Sequence, residues 1–229
     1  MSKKQIIILT ILFIVFVTAG VTSNIIQQKA IDKSKLPSKI ELSKGFQRWI
    51  TNLKNKNIDA SADDFRLKDD VELYNSKWTS VSTIEQPGAK EKFEKIIADH
   101  QNIKKQVVFS PSKREFLDIR NMDRDGYYAN EARFYGQKED KIIDTKILDC
   151  SALANCYFDR AYFLNNDVFV ISEFSRNIDK KDKNPVPCAI NEDCEYTIKI
   201  HVIDLINNNR LVYESHPFTT NLQNLIPQL

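Results

Sequence analysis

The chain has 229 residues, with 33 Lys and Arg against 31 Asp and Glu, a formal net charge of +2. That balance excludes a broadly basic nucleic-acid binder and a highly charged disordered tail, while 42% hydrophobic and 10% aromatic residues suffice for a core. Gly20, Gly45, Gly88, Gly126 and Gly136 lie too far apart to build a glycine-rich phosphate loop, which excludes Rossmann and P-loop readings.

Lys3 and Lys4 precede an apolar-to-small run from Ile6 to Val21, 16 residues long. A spanning helix needs about 20 residues, a length reached only by adding Thr22 to Ile26. The positive start, short apolar stretch and small residues at Thr18-Ala19-Gly20 and Val21-Thr22-Ser23 also fit a secretory signal. Residues 1–26 are therefore expected to be a membrane anchor or a cleaved signal segment. Orientation is contested. Lys29, Lys33, Lys35, Lys39 and Lys44 come after the run, which by the positive-inside rule puts the domain in the cytoplasm, whereas a signal-like start exports the domain behind it.

Residues 27–58 read as a basic linker plus an amphipathic helix, with eight basic and two acidic residues. Ser38 and Glu41 match a capping box, and Leu42, Phe46, Ile50 and Leu53, with Trp49 beside them, share one face of a helix over 39–55. Gly45 should weaken that helix by up to about 1 kcal/mol. Packing on the domain is the expected use of the stripe, and the membrane surface is the other. Phe65 to Leu73 alternates imperfectly, as a strand would. Pro87 and the spacing of Phe93, Ile96, Ile97 and His100 predict a second helix over 88–100.

From Gln106 the apolar period switches to two. Strands are expected at 106–110, 114–120, 127–135, 141–149, 157–164, 167–174, 196–205 and 210–215, joined by turn-formers such as Asp125-Gly126, Asn165-Asn166 and Asn207-Asn208-Asn209. Residues 59–229 thus read as an extracytoplasmic β-rich domain, and the fold class as α+β, mainly β: an N-terminal membrane helix, two short helices and an antiparallel meander. Ile198, Ile200 and Val202 alternate with Lys199 and His201, placing the latter two on a solvated face. In Tyr127-Tyr128, Phe134-Tyr135, Tyr157-Phe158 and Tyr162-Phe163, adjacent rings point to opposite faces, so one of each pair needs a second layer or a partner.

Cys150, Cys156, Cys188 and Cys194 fall in two pairs with five residues between partners. Zinc-ribbon spacing is shorter, and no histidine lies near, so an exported chain would use them as two disulfides. Three connectivities remain open; the local ones, 150–156 and 188–194, each close a loop between strand-like segments. A cytoplasmic domain would keep four free thiols.

Asn121, Asp123 and Asp125, with Gly126 next in line, match the first half of a calcium loop, but position 12 is Ala132 where a bidentate Glu belongs. Asp-Gly between alternating runs reads equally as a hairpin turn, the preferred reading. His100, His201 and His216 are scattered, and neither a Gly-x-Ser-x-Gly elbow nor a His-Glu-x-x-His motif occurs. No catalytic residue and no cofactor is expected.

Phe109-Ser-Pro-Ser-Lys-Arg-Glu-Phe-Leu resembles the Phe-Ser-Pro-Asp-Gly-Lys signature of blades in TolB-type and WD40-like β-propellers, with Ser112 and Lys113 in place of Asp-Gly. The segments Asp159 to Ile171 and Ile200 to Val212 resemble further blade strands, and residues 106–215 are similar to membrane-anchored bacterial proteins carrying such segments. The resemblance implies a blade-like meander and names no functional residue. A blade needs about 40–50 residues and a closed propeller at least about four blades, so a closed propeller is not expected. The function expected is a membrane-anchored envelope protein with a non-enzymatic binding domain. Its partners would be the membrane, through the N-terminal segment, and an envelope protein, with no nucleic acid. The alternatives are an exported hydrolase or metal-dependent enzyme using the acidic segment 118–125, and a cytoplasm-facing tethered domain.

Overall fold

The computed structural model describes residues 34–73, 79–103, 106–124, 127–179, 188–189 and 191–225. The apolar segment 1–26 lies outside them, and no helix among the described residues is long and apolar enough to cross a membrane. Residues 35–229 form one compact unit, so the helix of the basic stretch belongs with the β-rich part.

The first helical region is two helices, α1 (Ser38–Glu41) and α2 (Lys44–Asn55), broken at Leu42-Ser43. The expected Ser38 capping box does not form. Pro37 holds the cap position of α1, and Ser43 caps α2, its hydroxyl accepting from the Phe46 amide at 3.2 Å. The break turns Leu42 outward, 75% exposed, while Phe46, Trp49, Ile50 and Leu53 are buried as one stripe. A capping box does occur further on, where the Ser61 amide and hydroxyl donate to Asp64 Oδ2 at 2.7 and 2.9 Å.

Among the described residues the strands are β1 (Arg66–Glu72), β2 (Thr79–Thr83), β3 (Val107–Phe109), β4 (Glu115–Asp118), β5 (Asn121–Arg124), β6 (Tyr127–Lys138), β7 (Lys141–Asp149), β8 (Leu153–Phe163), β9 (Val168–Asp179), β10 (Cys194–Asp204), β11 (Asn209–Glu214) and β12 (Phe218–Thr220). Helix α3 (Ala89–Gln101) precedes β3, and a short α4 (Leu222–Leu225) lies after β12. Sheet I runs β1-β11-β10-β9-β8 with β12 beside β10; sheet II runs β2-β7-β6-β4-β3 with β5 beside β6. Every pairing is antiparallel.

The expected meander is present, since β8 to β11 are neighbours in chain order. The sheets pack face to face and close into neither a barrel nor a ring of blades. Alternation along β9 shows how the layers form. Val168, Val170 and Phe174 pack with Ile40, Phe46, Trp49 and Leu53 of the helices, while Phe169 and Ile171 pack with Leu117, Phe134 and Ile147 of sheet II. The rings of Phe134 and Phe169 stack across the sheets at 6.0 Å. Helix α3 covers the far side of sheet II, where Phe93 stacks on Tyr135 at 5.7 Å. The order is helices, sheet, sheet, helix.

These layers account for the paired aromatics. Tyr157 and Tyr162 lie under the first helices while Phe158 and Phe163 enter the space between sheets; Phe134 and Tyr135 divide the same way about sheet II. Of the two readings, a second layer or a partner, the second layer covers these three pairs. Strands β8 and β9 run longer than the 157–164 and 167–174 expected. Register shifts beside Asn155 and Asp159 break the period of β8 and hide its length.

Candidate ligand-binding cleft

Strand β10 must be half polar for a reason other than solvent, because its second face meets sheet II. Ile203 of that face is fully buried, and His201, expected on a solvated face, is 5% exposed. One diagonal step away on β9, opposite Lys199, stands Glu173, 6% exposed, between the buried Ile171 and Phe174. A buried carboxylate costs several kcal/mol unless paired. Here His201 Nε2 lies 2.8 Å from Glu173 Oε2 and Lys199 Nζ lies 3.3 Å from Oε1. Register places Lys199 directly between Glu173 and Glu214, one charge per strand in alternating sign.

Burial pushes the Glu173 carboxyl up, but the hydrogen bond and charge of His201, with Lys199 behind them, bring it below the ordinary carboxylate value. It is therefore an ionised acceptor, and Nε2 of His201 donates to it. That leaves Nδ1 as a lone-pair acceptor, buried and without a partner among the described residues.

These side chains line a cavity of about 410 Å³ with Lys68, Asp69, Asp149, Asn177 and Arg210 among its walls. Arg210 comes from β11, opposite Ile203, and His201 is opposite Val212, so the two stand on adjacent strands of one face, one diagonal step apart. The Arg210 guanidinium makes no ion pair or hydrogen bond among the described residues, and its Nε is buried. Burial pulls Arg210 below its ordinary value, while the fields of Glu173 and Asp69 oppose that. Two unpartnered polar groups thus share one cavity. Asp149 is held by Lys146 at 2.6 Å.

The cysteines pair as Cys150–Cys156 and Cys188–Cys194, in line with the local pairing. The sulfurs of Cys150 and Cys156 lie within 4.8 Å of a Glu173 carboxylate oxygen, so this bridge borders the cleft. Asn155 ties the two bridges together, donating to the Cys188 carbonyl at 2.9 Å and accepting from the Cys188 amide at 2.8 Å.

The remaining sequence candidates lie elsewhere. Asn121 and Asp123 sit in β5, paired with Asn130 and Tyr128, and Asp125 lies outside the described residues. Arg124 pairs with Tyr127, so β5 and β6 run antiparallel on either side of residues 125–126. In the acidic segment, Asp118 receives Nε and Nη2 of Arg120 at 2.9 and 2.7 Å. His100 stacks on Phe116 at 4.3 Å, and His216 is exposed in its loop. Sequence reasoning missed Glu173, Lys199, His201 and Arg210 together. The usable signal was Glu173 itself, one carboxylate continuing the apolar Val168-Phe-Val-Ile run of a central strand.

No protein-family model, no curated protein and no solved structure matches this chain.

Proposed function

We propose that this chain is a membrane-tethered binding protein whose β-sandwich is displayed outside the cytoplasm and holds a small ligand in the cleft between its sheets. The observation that carries the reading is the cleft: a cavity of about 410 Å³ on strand-borne side chains, with the Arg210 guanidinium and His201 Nδ1 left without protein partners among the described residues. Its volume is in the range of small-molecule sites. Its walls supply charges of both signs and hydrogen-bonding groups with which to hold a polar ligand. The apolar run Ile6–Val21 behind two lysines, together with cysteines paired at disulfide distance, supports tethering and export.

Protease treatment of intact spheroplasts, with thiol alkylation before and after reduction, tests the placement. The β-domain should be digested and the thiols should react only after reduction. Protection from protease with four freely alkylated cysteines would instead establish a cytoplasm-facing domain.

A further inference from the structure

The charges around the cleft define what it can hold. Glu173 is already satisfied by His201 and Lys199, so it asks nothing of a ligand. Arg210 is the opposite case: a half-buried fork of N–H donors, always charged, with no acceptor among the described residues. A planar carboxylate is the acceptor that matches such a fork with two parallel hydrogen bonds. His201 Nδ1 stands on the neighbouring strand one diagonal away, about 7–8 Å between Cα atoms; with Nε2 donating to Glu173 it offers a lone pair, so it takes a donor and leaves the carboxylate to Arg210. Outward from Arg210 the walls carry both signs, Asp69 beside Lys68 on β1 and Glu214 opposite Lys199, so acceptors for an ammonium lie within the same cavity.

From this sequence of charges we infer that the cleft binds a small zwitterion, the chemistry of a free amino acid or a short peptide. Its carboxylate sits inward on Arg210, and its ammonium faces Asp69 and Glu214. This deepens the binding reading above and rests on it. A phosphate or sulfate would satisfy Arg210 but give Asp69 and Glu214 no ammonium to face. A neutral ligand would leave the guanidinium buried and unpaired, a state that costs about as much as a lost charged hydrogen bond.

The apo protein bears a cost that gives a test independent of any ligand. A partly buried cation without a partner destabilises the fold, so Arg210→Met, of similar length and apolar, should raise the melting temperature of the ligand-free full chain. The same substitution should weaken amino-acid binding about tenfold to a hundredfold, the loss of a charge-assisted pair. A fall in melting temperature would show that Arg210 serves the fold and would overturn the proposal.

The direct experiment is NMR of the full chain in mild detergent, following the His201 ring resonances. The probes are each of the twenty amino acids at millimolar concentration, a set of dipeptides, the N-acetyl and amide derivatives of the best binder, and inorganic phosphate. Saturable shifts with one or more amino acids or dipeptides, lost on both acetylation and amidation, support the zwitterion and say which size it has. Equal or tighter binding of phosphate or of either derivative overturns the zwitterion yet leaves a ligand-binding cleft standing. No shift with any probe overturns both.

Discussion

Gly45 sits in the first turn of α2, where intrinsic helix propensity alone favours alanine by about 1 kcal/mol. The structure reverses that expectation. A methyl group built on Gly45 would lie 2.5 Å from two ring carbons of Tyr162 and 2.9 Å from a third. Ordinary carbon contacts begin near 3.4 Å, so helix or ring must retreat by about 1 Å, and overpacking of this kind costs about 1–3 kcal/mol. Tyr162 cannot swing clear, because it is packed into the cluster that holds Phe46, Trp49 and Val170. Subtracting the propensity gain leaves Gly45→Ala destabilising by up to about 2 kcal/mol, a fall of up to roughly 8 °C in melting temperature for a unit this size. Thermal circular dichroism of the full chain under non-reducing conditions measures it. The decisive control is Tyr162→Ala, in which the obstacle is gone and Gly45→Ala should become stabilising by up to about 1 kcal/mol. The same sign in both backgrounds would refute the packing account and leave Gly45 an ordinary weak point of the helix.

Glu173→Gln should cost about 2–4 kcal/mol at neutral pH, since it strands Lys199 and His201 around a neutral acceptor. Because the folded carboxyl is held below its ordinary value of 4.5, its contribution is present above that pH and is lost as pH falls through the folded value. Urea midpoints of wild type and variant should converge in acid, and a gap that stays constant from about pH 7 to about pH 3 would contradict the assignment. Both disulfides close rings of equal sequence separation, so loop entropy predicts about 2 kcal/mol for each. Cys150 and Cys156 are each 2% exposed, so replacing that pair by serine should cost more than replacing Cys188 and Cys194, which chemical denaturation of the two variants compares. Trp49 Nε1 donates to Asp159 Oδ2 at 2.9 Å, and burial pushes the Asp159 carboxyl up despite that bond. Trp49→Phe should therefore destabilise by about 1–3 kcal/mol through the orphaned carboxylate, and Asp159→Asn in the Trp49→Phe background should recover part of the loss in the same melts.

The sequence was legible where one periodic signal governed one element. Strand β7 occupies the expected 141–149, and α3, at Ala89–Gln101, is displaced by one residue from the expected 88–100. It was illegible where two elements shared the credit. The stripe from Leu42 to Leu53 reads as one helix because period alone cannot see that Ser43 gives a better cap than Ser38. The cleft was hidden for a related reason. Lys199 and His201 alternate with isoleucine and valine as they would on a strand half exposed to water, and a covered polar face has the same alternation. Only the second sheet distinguishes the two, and its position over β10 depends on pairings far apart in the chain. The cysteine pairs were readable because each is local.

The chain visits sheet I twice, laying down β1, leaving to build all of sheet II, and returning for β8 to β12. Strand β1 therefore finds its partner only when Arg66 meets Glu214 and Glu72 meets Asn209, near the opposite end of the polypeptide. Such non-local pairing is entropically expensive and slow to form, so β1 is a waiting edge for most of synthesis. Asp69 of the cleft rim is carried on that strand, and Arg210 on its late-arriving partner. A nascent or C-terminally shortened chain would thus have much of its second sheet and no cleft. The cleft is therefore completed only when β11 reaches β1, so its assembly reports on the last long-range pairing of sheet I.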